Sequence, residues 1–297
     1  MKYGLPYKGS KNAIAQKIVD ALPNGKSFCD ACCGGGAILM ASALSGKYAR
    51  VTGYDINEAI IGLIRATMIA FGTIDYDHDL PSVDRNAFFE ARNRSAGICD
   101  WLVRYCYSFG NDGQTFLWSD EMHEGFRLLE EAIRGETLDD RVRAIQELSK
   151  RKYALELMSR VEPFIRLRRI KNVEQTMMSR KTTTRIDVGV KSMFDVDYDQ
   201  FDVIYFDPPY KNTKGYFKIK FDYNKFEELI SGLRDKGKRV FVSEYTQPTD
   251  GFACVAEFSK QVLINKTCNT AGVERLYFGG TLEEYQDLDK SYLDFIH

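Results

Sequence analysis

Residues 27–41 read SFCDACCGGGAILMA. Ser27-Phe28-Cys29 is a short apolar run that enters Asp30. Cys33-Gly34-Gly35-Gly36 is a turn, and Ala37 to Ala41 has the composition of a helix start. Strand, glycine loop, helix is the unit that lets a ligand come close to backbone in an α/β protein. On its N-terminal side, residues 12–22 form an amphipathic pattern with Ile14, Ile18, Val19 and Leu22 on one face. On its C-terminal side, Arg50 to Tyr54 reads as a second strand ending at Asp55, and residues 57–70 read as a helix. This alternation predicts a parallel sheet with helices on both faces.

From about residue 72 to 185 the texture changes to polar, aromatic and basic sequence, with a helical pattern over Leu138 to Leu157. Strand signals return after 186. The run Phe201 to Phe206 (FDVIYF) is the strongest, Arg239 to Val242 is another, and Gln261 to Ile264 and Arg275 to Phe278 are weaker. The expected organisation is one discontinuous α/β domain (1–70 and 186–297) carrying a mainly helical insertion (71–185).

Composition bounds the function. With 297 residues, 44% hydrophobic and 28% charged, the chain has material for a sizeable core. There is no apolar run of about 18 residues, so no membrane span is expected. The N-terminus lacks an apolar stretch of signal-peptide length, and seven cysteines, an odd number, suit reduced thiols in a cytoplasm. Cys29 and Cys32 make a C-x-x-C, but no second pair follows at finger spacing, so no metal is predicted. The formal net charge of −1 gives no global hint of a polyanionic partner.

Two features carry chemistry. Asp55 follows Asp30 by 25 residues, close to the ~20-residue spacing at which a carboxylate grips the vicinal hydroxyls of a ribose. That reading fits any adenosine-containing cofactor, and a plain tight turn is the alternative. Sharper is Asp207-Pro208-Pro209-Tyr210, directly after FDVIYF and therefore at the carboxyl end of a strand, where open α/β sheets bind ligands. Two prolines stiffen the loop. They fix one carboxylate, backbone carbonyls and one aromatic ring, a set that suits a planar base bearing an amino group. The carboxylate and a proline carbonyl accept both amine N–H bonds, which frees the nitrogen lone pair for attack on a methyl carbon, while Tyr210 stacks on the ring.

With these residues the chain resembles the Dam-like, D12 class of DNA adenine-N6 methyltransferases, in its phage-type form. Pro6-Tyr7-Lys8-Gly9-Ser10-Lys11 looks like the family's first motif, Asp30 to Gly36 like its glycine loop, Asp55-Ile56-Asn57 like its ribose-binding position, and Asp207 to Tyr210 like its catalytic D-P-P-Y. Val242-Ser243-Glu244-Tyr245, the ending Val273 to Tyr277, and Tyr107 to Gly113 also look familial. Ala31 and Cys32 depart from it, standing where the family usually has Pro-Phe. The resemblance implies a Rossmann-like methyltransferase sheet with an inserted target-recognition domain. It implies S-adenosylmethionine held by Tyr7, Lys11, Asp30, Gly34, Gly36, Asp55, Ile56 and Asp207, and catalysis by Asp207, Pro208, Pro209 and Tyr210. The implied substrate is double-stranded DNA with its target adenine flipped out. The implied setting is a bacterial or phage-infected cytoplasm, with a monomer or weak dimer and a cognate restriction endonuclease as a candidate partner.

The insertion holds the candidate DNA reader. Between Arg160 and Arg185 there are eight basic residues (Arg160, Arg166, Arg168, Arg169, Lys171, Arg180, Lys181, Arg185) against Glu162 and Glu174. Arg166, Arg168, Arg169 and Lys181 are read as phosphate contacts, with hydroxyls from Thr182, Thr183 and Thr184 beside them. A solvated helix face is the plainer reading. Asn111 and Gln114, in a glycine-rich turn, have side chains that pair bidentately with adenine, and a structural hairpin is the alternative there. Tyr105 and Tyr107 read as core aromatics. Cytosine-N4 or RNA amino-methylation, or a catalytically inactive DNA-binding relative, are the alternative functions. A nicotinamide dehydrogenase is disfavoured because the G-x-G-x-x-G fingerprint is incomplete.

Overall fold

The computed structural model describes residues 2–74, 83–117, 120–150, 162–210, 221–265 and 268–293. The first half of the sheet domain is α1 (Ala15–Ala21), β1 (Ser27–Asp30), α2 (Ala37–Ser45), β2 (Arg50–Asp55) and α3 (Glu58–Met68). Then come α4 (Arg85–Arg94), α5 (Ile98–Cys106), α6 (Asp120–Arg134), α7 (Leu138–Ser149) and α8 (Glu162–Met178). The sheet resumes with β3 (Arg185–Val190), β4 (Val203–Phe206), α9 (Tyr223–Asp235), β5 (Arg239–Glu244), β6 (Phe252–Asn265), β7 (Cys268–Gly279) and α10 (Leu282–Leu293). The helical reading of Leu138 to Leu157 holds to Ser149, and its last residues lie outside those described.

The strands form one seven-stranded sheet in the order β3-β2-β1-β4-β5-β7-β6. The pairs among β3, β2, β1, β4 and β5 are parallel, while β7 is antiparallel to both β5 and β6. This is a Rossmann-like, mainly parallel sheet with an antiparallel edge, of the α/β class that the sequence predicts. Strand order reverses between β1 and its neighbour β4, and that switch point is where an open α/β sheet leaves a crevice beyond its carboxyl ends.

Period-two alternation divides the strands between two cores. Phe28, Val51, Val203, Tyr205 and Phe241 face a core closed by α1, α2, α3, α5 and α8. Cys29, Ile204, Phe206, Val240 and Val242 face the other, closed by Phe226, Ile230 and Leu233 of α9. The strands are apolar on both faces because both faces are covered. Side-chain caps set the helix starts. Asn57 accepts from the Ile60 amide at the head of α3, and Asp84 from Ala87 at the head of α4.

The helical stretch is not uniform in its packing. Ala91 of α4, Leu102 and Val103 of α5, and Ile170 and Val173 of α8 belong to the same core as the sheet, whereas α6 and α7 pack on each other. The core is therefore continuous across residues 70 and 185, and within the expected insertion the α6–α7 pair lies furthest from it in contacts. Among the described residues no helix is long and apolar enough to cross a membrane.

The α3–α5 contact depends on Gly62. A Cβ there would lie 2.0 Å from Cζ3 of Trp101, and the Trp101 indole is tethered by its N–H to the Ser95 carbonyl at 3.2 Å. Gly62→Ala forces one of the two helices to move. It is expected to destabilise the fold by about 1–3 kcal/mol despite the helix propensity of alanine. Urea denaturation measures this, and an unchanged midpoint would show that the indole swings clear.

Candidate active site

The carboxyl ends of the central strands place three acids side by side. Asp55 ends β2, Asp30 ends β1 and Asp207 follows β4. Adjacent strands lie ~4.8 Å apart, so Asp55 and Asp207 flank Asp30 on successive strands. All three line one cavity of about 560 Å³, in the size range of a small-molecule site. Reading along the sheet, Lys191 and Phe194 after β3, Asp55 and Ile56 after β2, and Asp30 with Cys32 to Gly35 after β1 line one half. Asp207 to Tyr210 after β4, Tyr245 after β5 and Glu274 on β7 line the other.

The glycine loop does two jobs. Gly34 and Gly36 have φ of +46° and +71°, a region that side chains disfavour. A Cβ on Gly34 would meet the Tyr7 ring at 2.9 Å, and one on Gly35 would meet the Leu5 carbonyl oxygen at 2.8 Å. The Leu5 amide donates to the Gly35 carbonyl at 2.7 Å. Much of the close approach these glycines permit is thus to the chain's own N-terminal segment, which brings Tyr7 and Lys11 into the cavity. Gly36, a predicted cofactor contact, lies against Ile64 and Met68 and does not line the cavity; its positive φ serves the turn into α2.

Asp55 braces this loop. Its Oδ2 accepts from the Gly34 amide at 2.9 Å and its Oδ1 from the Asn57 amide at 2.9 Å. Ile56 beside it is 56% exposed, an apolar surface at the cavity. Asp30 is buried. Its Oδ1 has no hydrogen-bond partner among the described residues. Burial, then the Asp207 and Asp55 charges, hold its carboxyl well above the usual range.

At the other end, Lys11 sits between two acids. Its Nζ is 2.7 Å from Oδ1 of Asp207 and 3.0 Å from Oε1 of Glu274, and it is almost fully buried. Burial alone would lower the ammonium pKa, but the two carboxylates outweigh it and the net shift is upward. The Tyr210 hydroxyl donates to the same Glu274 oxygen. Lys11 Nζ also lies 4.6 Å from the centroid of the Tyr210 ring, and Tyr245 abuts that ring edge-on at 4.6 Å. For Asp207, burial raises the pKa most, Lys11 opposes it, and Glu274 adds to it; the net shift is upward. Glu274 escaped the sequence reading as a site residue. It shares a strand face with Leu276 and Phe278, both core residues, so its side chain turns inward. An acid in phase with two core residues was the available signal.

The predicted DNA contacts divide. Arg166 is buried and its Nη1 donates to the Cys106 and Ser108 carbonyls at 2.8 and 2.6 Å. Arg169 donates from Nε to the Gly4 carbonyl and from Nη2 to the Tyr3 carbonyl, each at 3.0 Å. Arg166 is therefore corrected from a phosphate contact to a brace, since its guanidinium is inside and bound to backbone. Arg169 is also bound to backbone but still reaches a surface trough. Arg168 and Lys181 are exposed, as is Gln114, whose carbonyl accepts from Arg92. Thr182 and Thr184 donate to the Ala43 and Tyr48 carbonyls, so these two hydroxyls serve the fold. Asn111 lies in a loop closed by the Ser108–Phe116 bridge. Tyr105 and Tyr107 are core residues. Arg160 lies outside the described residues.

Residues 7–98 match the family model described as D12 class N6 adenine-specific DNA methyltransferase, which supports an adenine-specific DNA methyltransferase. No curated protein matches the chain. Among solved structures, the rRNA methyltransferase AviRa from Streptomyces viridochromogenes is 11% identical with a TM-score of 0.38, over 92% of this chain and 84% of its own. HI0767 from Haemophilus influenzae, a protein proposed to be a methylase, is 10% identical with a TM-score of 0.34, over 91% of this chain and 87% of its own.

Asp30 yields a pH-dependent prediction. A carboxyl with its folded pKa raised contributes stability that is complete below its unfolded pKa and is lost as pH rises through the folded value. Asp30→Asn is therefore expected to stabilise the ligand-free protein near neutrality, with the gain shrinking in acid. Urea midpoints at about pH 5 and about pH 8 check the sign; a larger gain at the lower pH would contradict it.

Proposed function

We propose that this protein transfers a methyl group from S-adenosylmethionine to the N6 amine of an adenine flipped out of duplex DNA. One observation carries the reading: Asp207-Pro208-Pro209-Tyr210 leaves β4 at the sheet's switch point and lines the same cavity as Asp30, Asp55 and Ile56. The D12 match over residues 7–98 supports adenine in DNA over the alternatives.

The residues fit the cofactor. Asp30 Oδ1 is a buried acceptor without a partner among the described residues, at the cavity wall, and an amino-acid ammonium is the donor it lacks. Asp55 keeps unused lone pairs for ribose hydroxyls after its two amide bonds. Ile56 and Phe194 supply apolar surface for a purine. When bound, S-adenosylmethionine supplies an electrophilic methyl carbon and departs as a neutral thioether.

The chain's own work is placement and polarisation. The Asp207 carboxylate, with one oxygen on Lys11, accepts an N–H of the target amine and orients the nitrogen lone pair. The carbonyls of the rigid Pro208-Pro209 segment serve the second N–H. As the N–C bond forms, the nitrogen gains positive charge and releases a proton, which Asp207 is positioned to accept. Tyr210 and Tyr245 offer aromatic surface to the base. No covalent enzyme intermediate is required, and Cys29, Cys33 and Cys106 are buried.

Asp207→Asn should abolish methyl transfer to duplex DNA while the protein stays folded and still binds S-adenosylmethionine. The readout is label transfer and identification of N6-methyldeoxyadenosine after digestion. Full activity in the variant, or label only in RNA or on cytosine, would sink the assignment.

Glu274 acts through its neighbours as a positioning residue. Its charge raises the pKa of Asp207, so Glu274→Gln should move the acid limb of the kcat/KM profile to lower pH while preserving an acceptor for Tyr210. An acid limb at the wild-type position would assign Glu274 a purely structural part.

A further inference from the structure

A second cavity, of about 360 Å³, shares the wall Tyr7 to Ser10 with the first and is otherwise bounded by residues 12–13, 110–111 and Arg169. Its charge is one-sided. Lys8 and Arg169 line it, and among the described residues neither an aspartate nor a glutamate does. The neighbouring cavity is lined by five acids and four lysines. Such a trough on a chain of net charge −1 is a local concentration of positive charge, not a reflection of overall charge.

Its walls are braced from behind. Arg169 holds the segment leading to Tyr7 by the Tyr3 and Gly4 carbonyls, and Arg166, one turn earlier on α8, holds the Cys106 and Ser108 carbonyls at the root of the loop bearing Asn111. Among the described residues Arg169 has no carboxylate partner and its Nη1 makes no hydrogen bond. Its charge is thus bound only to neutral carbonyls. Burial pulls its pKa down, the sign of a cation whose environment lacks a matching anion. Lys8 is exposed, and Ser10 and Asn111 add donors of the kind that contact phosphate oxygens.

We infer that this trough binds a backbone phosphate of the nucleic acid strand whose base enters the first cavity. The inference rests on the proposed reaction at that cavity. A flipped nucleotide keeps both phosphodiester links, so its base enters the pocket while its phosphates stay at the mouth. Lys8 lines both cavities, and a cation at a shared wall is where such a phosphate lies. Arg169 provides a fixed second charge, and Asn111 brings an amide donor to the lining.

The test compares wild type, Lys8→Gln and, as a control, Lys2→Gln, an exposed lysine outside both cavities. The probe is a fluorescent mixed-sequence DNA duplex titrated over a range of salt, with methyl transfer to the same DNA measured in parallel. Losing one phosphate contact should reduce the slope of log K against log salt by about 0.9 and weaken binding evenly across sequences. Lys2→Gln should match wild type. If wild type methylates DNA and Lys8→Gln keeps the full slope, the phosphate site is overturned and the reaction stands. If wild type transfers no methyl group but Lys8→Gln still lowers the slope, the reaction fails and the phosphate site stands. Salt-independent binding by wild type overturns the phosphate site outright.

Discussion

A buried ammonium holds the two halves of the site together. Lys11 comes from the N-terminal segment, Asp207 from the end of β4 and Glu274 from β7, and the three meet within hydrogen-bonding distance. Burying a charge is tolerable only when it is paired and hydrogen-bonded, so the cluster forms only when the sheet, its antiparallel edge and the N-terminal segment are all in place. Tyr210, through Glu274, joins the same network. The loop from Asp207 to Tyr210 is therefore held from two sides, by its prolines along the chain and by charge across it. One cation faces two anions here, with Asp30 and Asp55 beyond, and this local excess of negative charge suits a cofactor that carries a sulfonium and an ammonium.

The N-terminal segment is the second organising part. Leu5 pairs with the backbone of Gly35, and Tyr7 fills the space that side chains at residues 34 and 35 would occupy. From there residues 7–10 become a partition. On one side they face acids and the proposed cofactor, and on the other a trough with two cations. Arg166 and Arg169 anchor both banks of that trough to α8. The proposed cofactor and phosphate sites thereby share one turn of backbone.

Much of this was legible in the sequence because it rests on local chemistry. Residues 27–41 announced strand, loop and helix, and the proline pair after FDVIYF announced a strand end that lines the main cavity. What was not legible depends on partners distant in sequence. The arginines of 160–185 read as a phosphate stripe, since sequence does not distinguish a guanidinium in solvent from one bonded to carbonyls 58 to 166 residues away. Gln261 to Ile264 marked the far half of β6, but its start at Phe252 was not legible, because the first half is short of β-branched residues and gains its identity from pairing with β7. Glu274 was quoted for its resemblance, yet its role follows only from the register that turns it inward beside Leu276.

The departure at Ala31 and Cys32 is absorbed by the same architecture. The Ala31 amide donates to the Tyr205 carbonyl, so this position continues the β1–β4 pairing for one more residue before the chain turns. Ala31 is buried in the α9-side core, which a small side chain enters without displacing Tyr198 or Phe206. Cys32 lines the cavity beside Asp30 and Asp207, with burial raising its thiol pKa well above the usual value. It stays a neutral, compact wall next to two acids, where an ionised group would oppose both. Aromatic surface on the same cavity comes from Phe194 and Phe221, stacked on one another at 6.3 Å. Substitution at the loop thus leaves the acids where β1, β2 and β4 put them, and their spacing is set by the sheet, not by the residues that follow it.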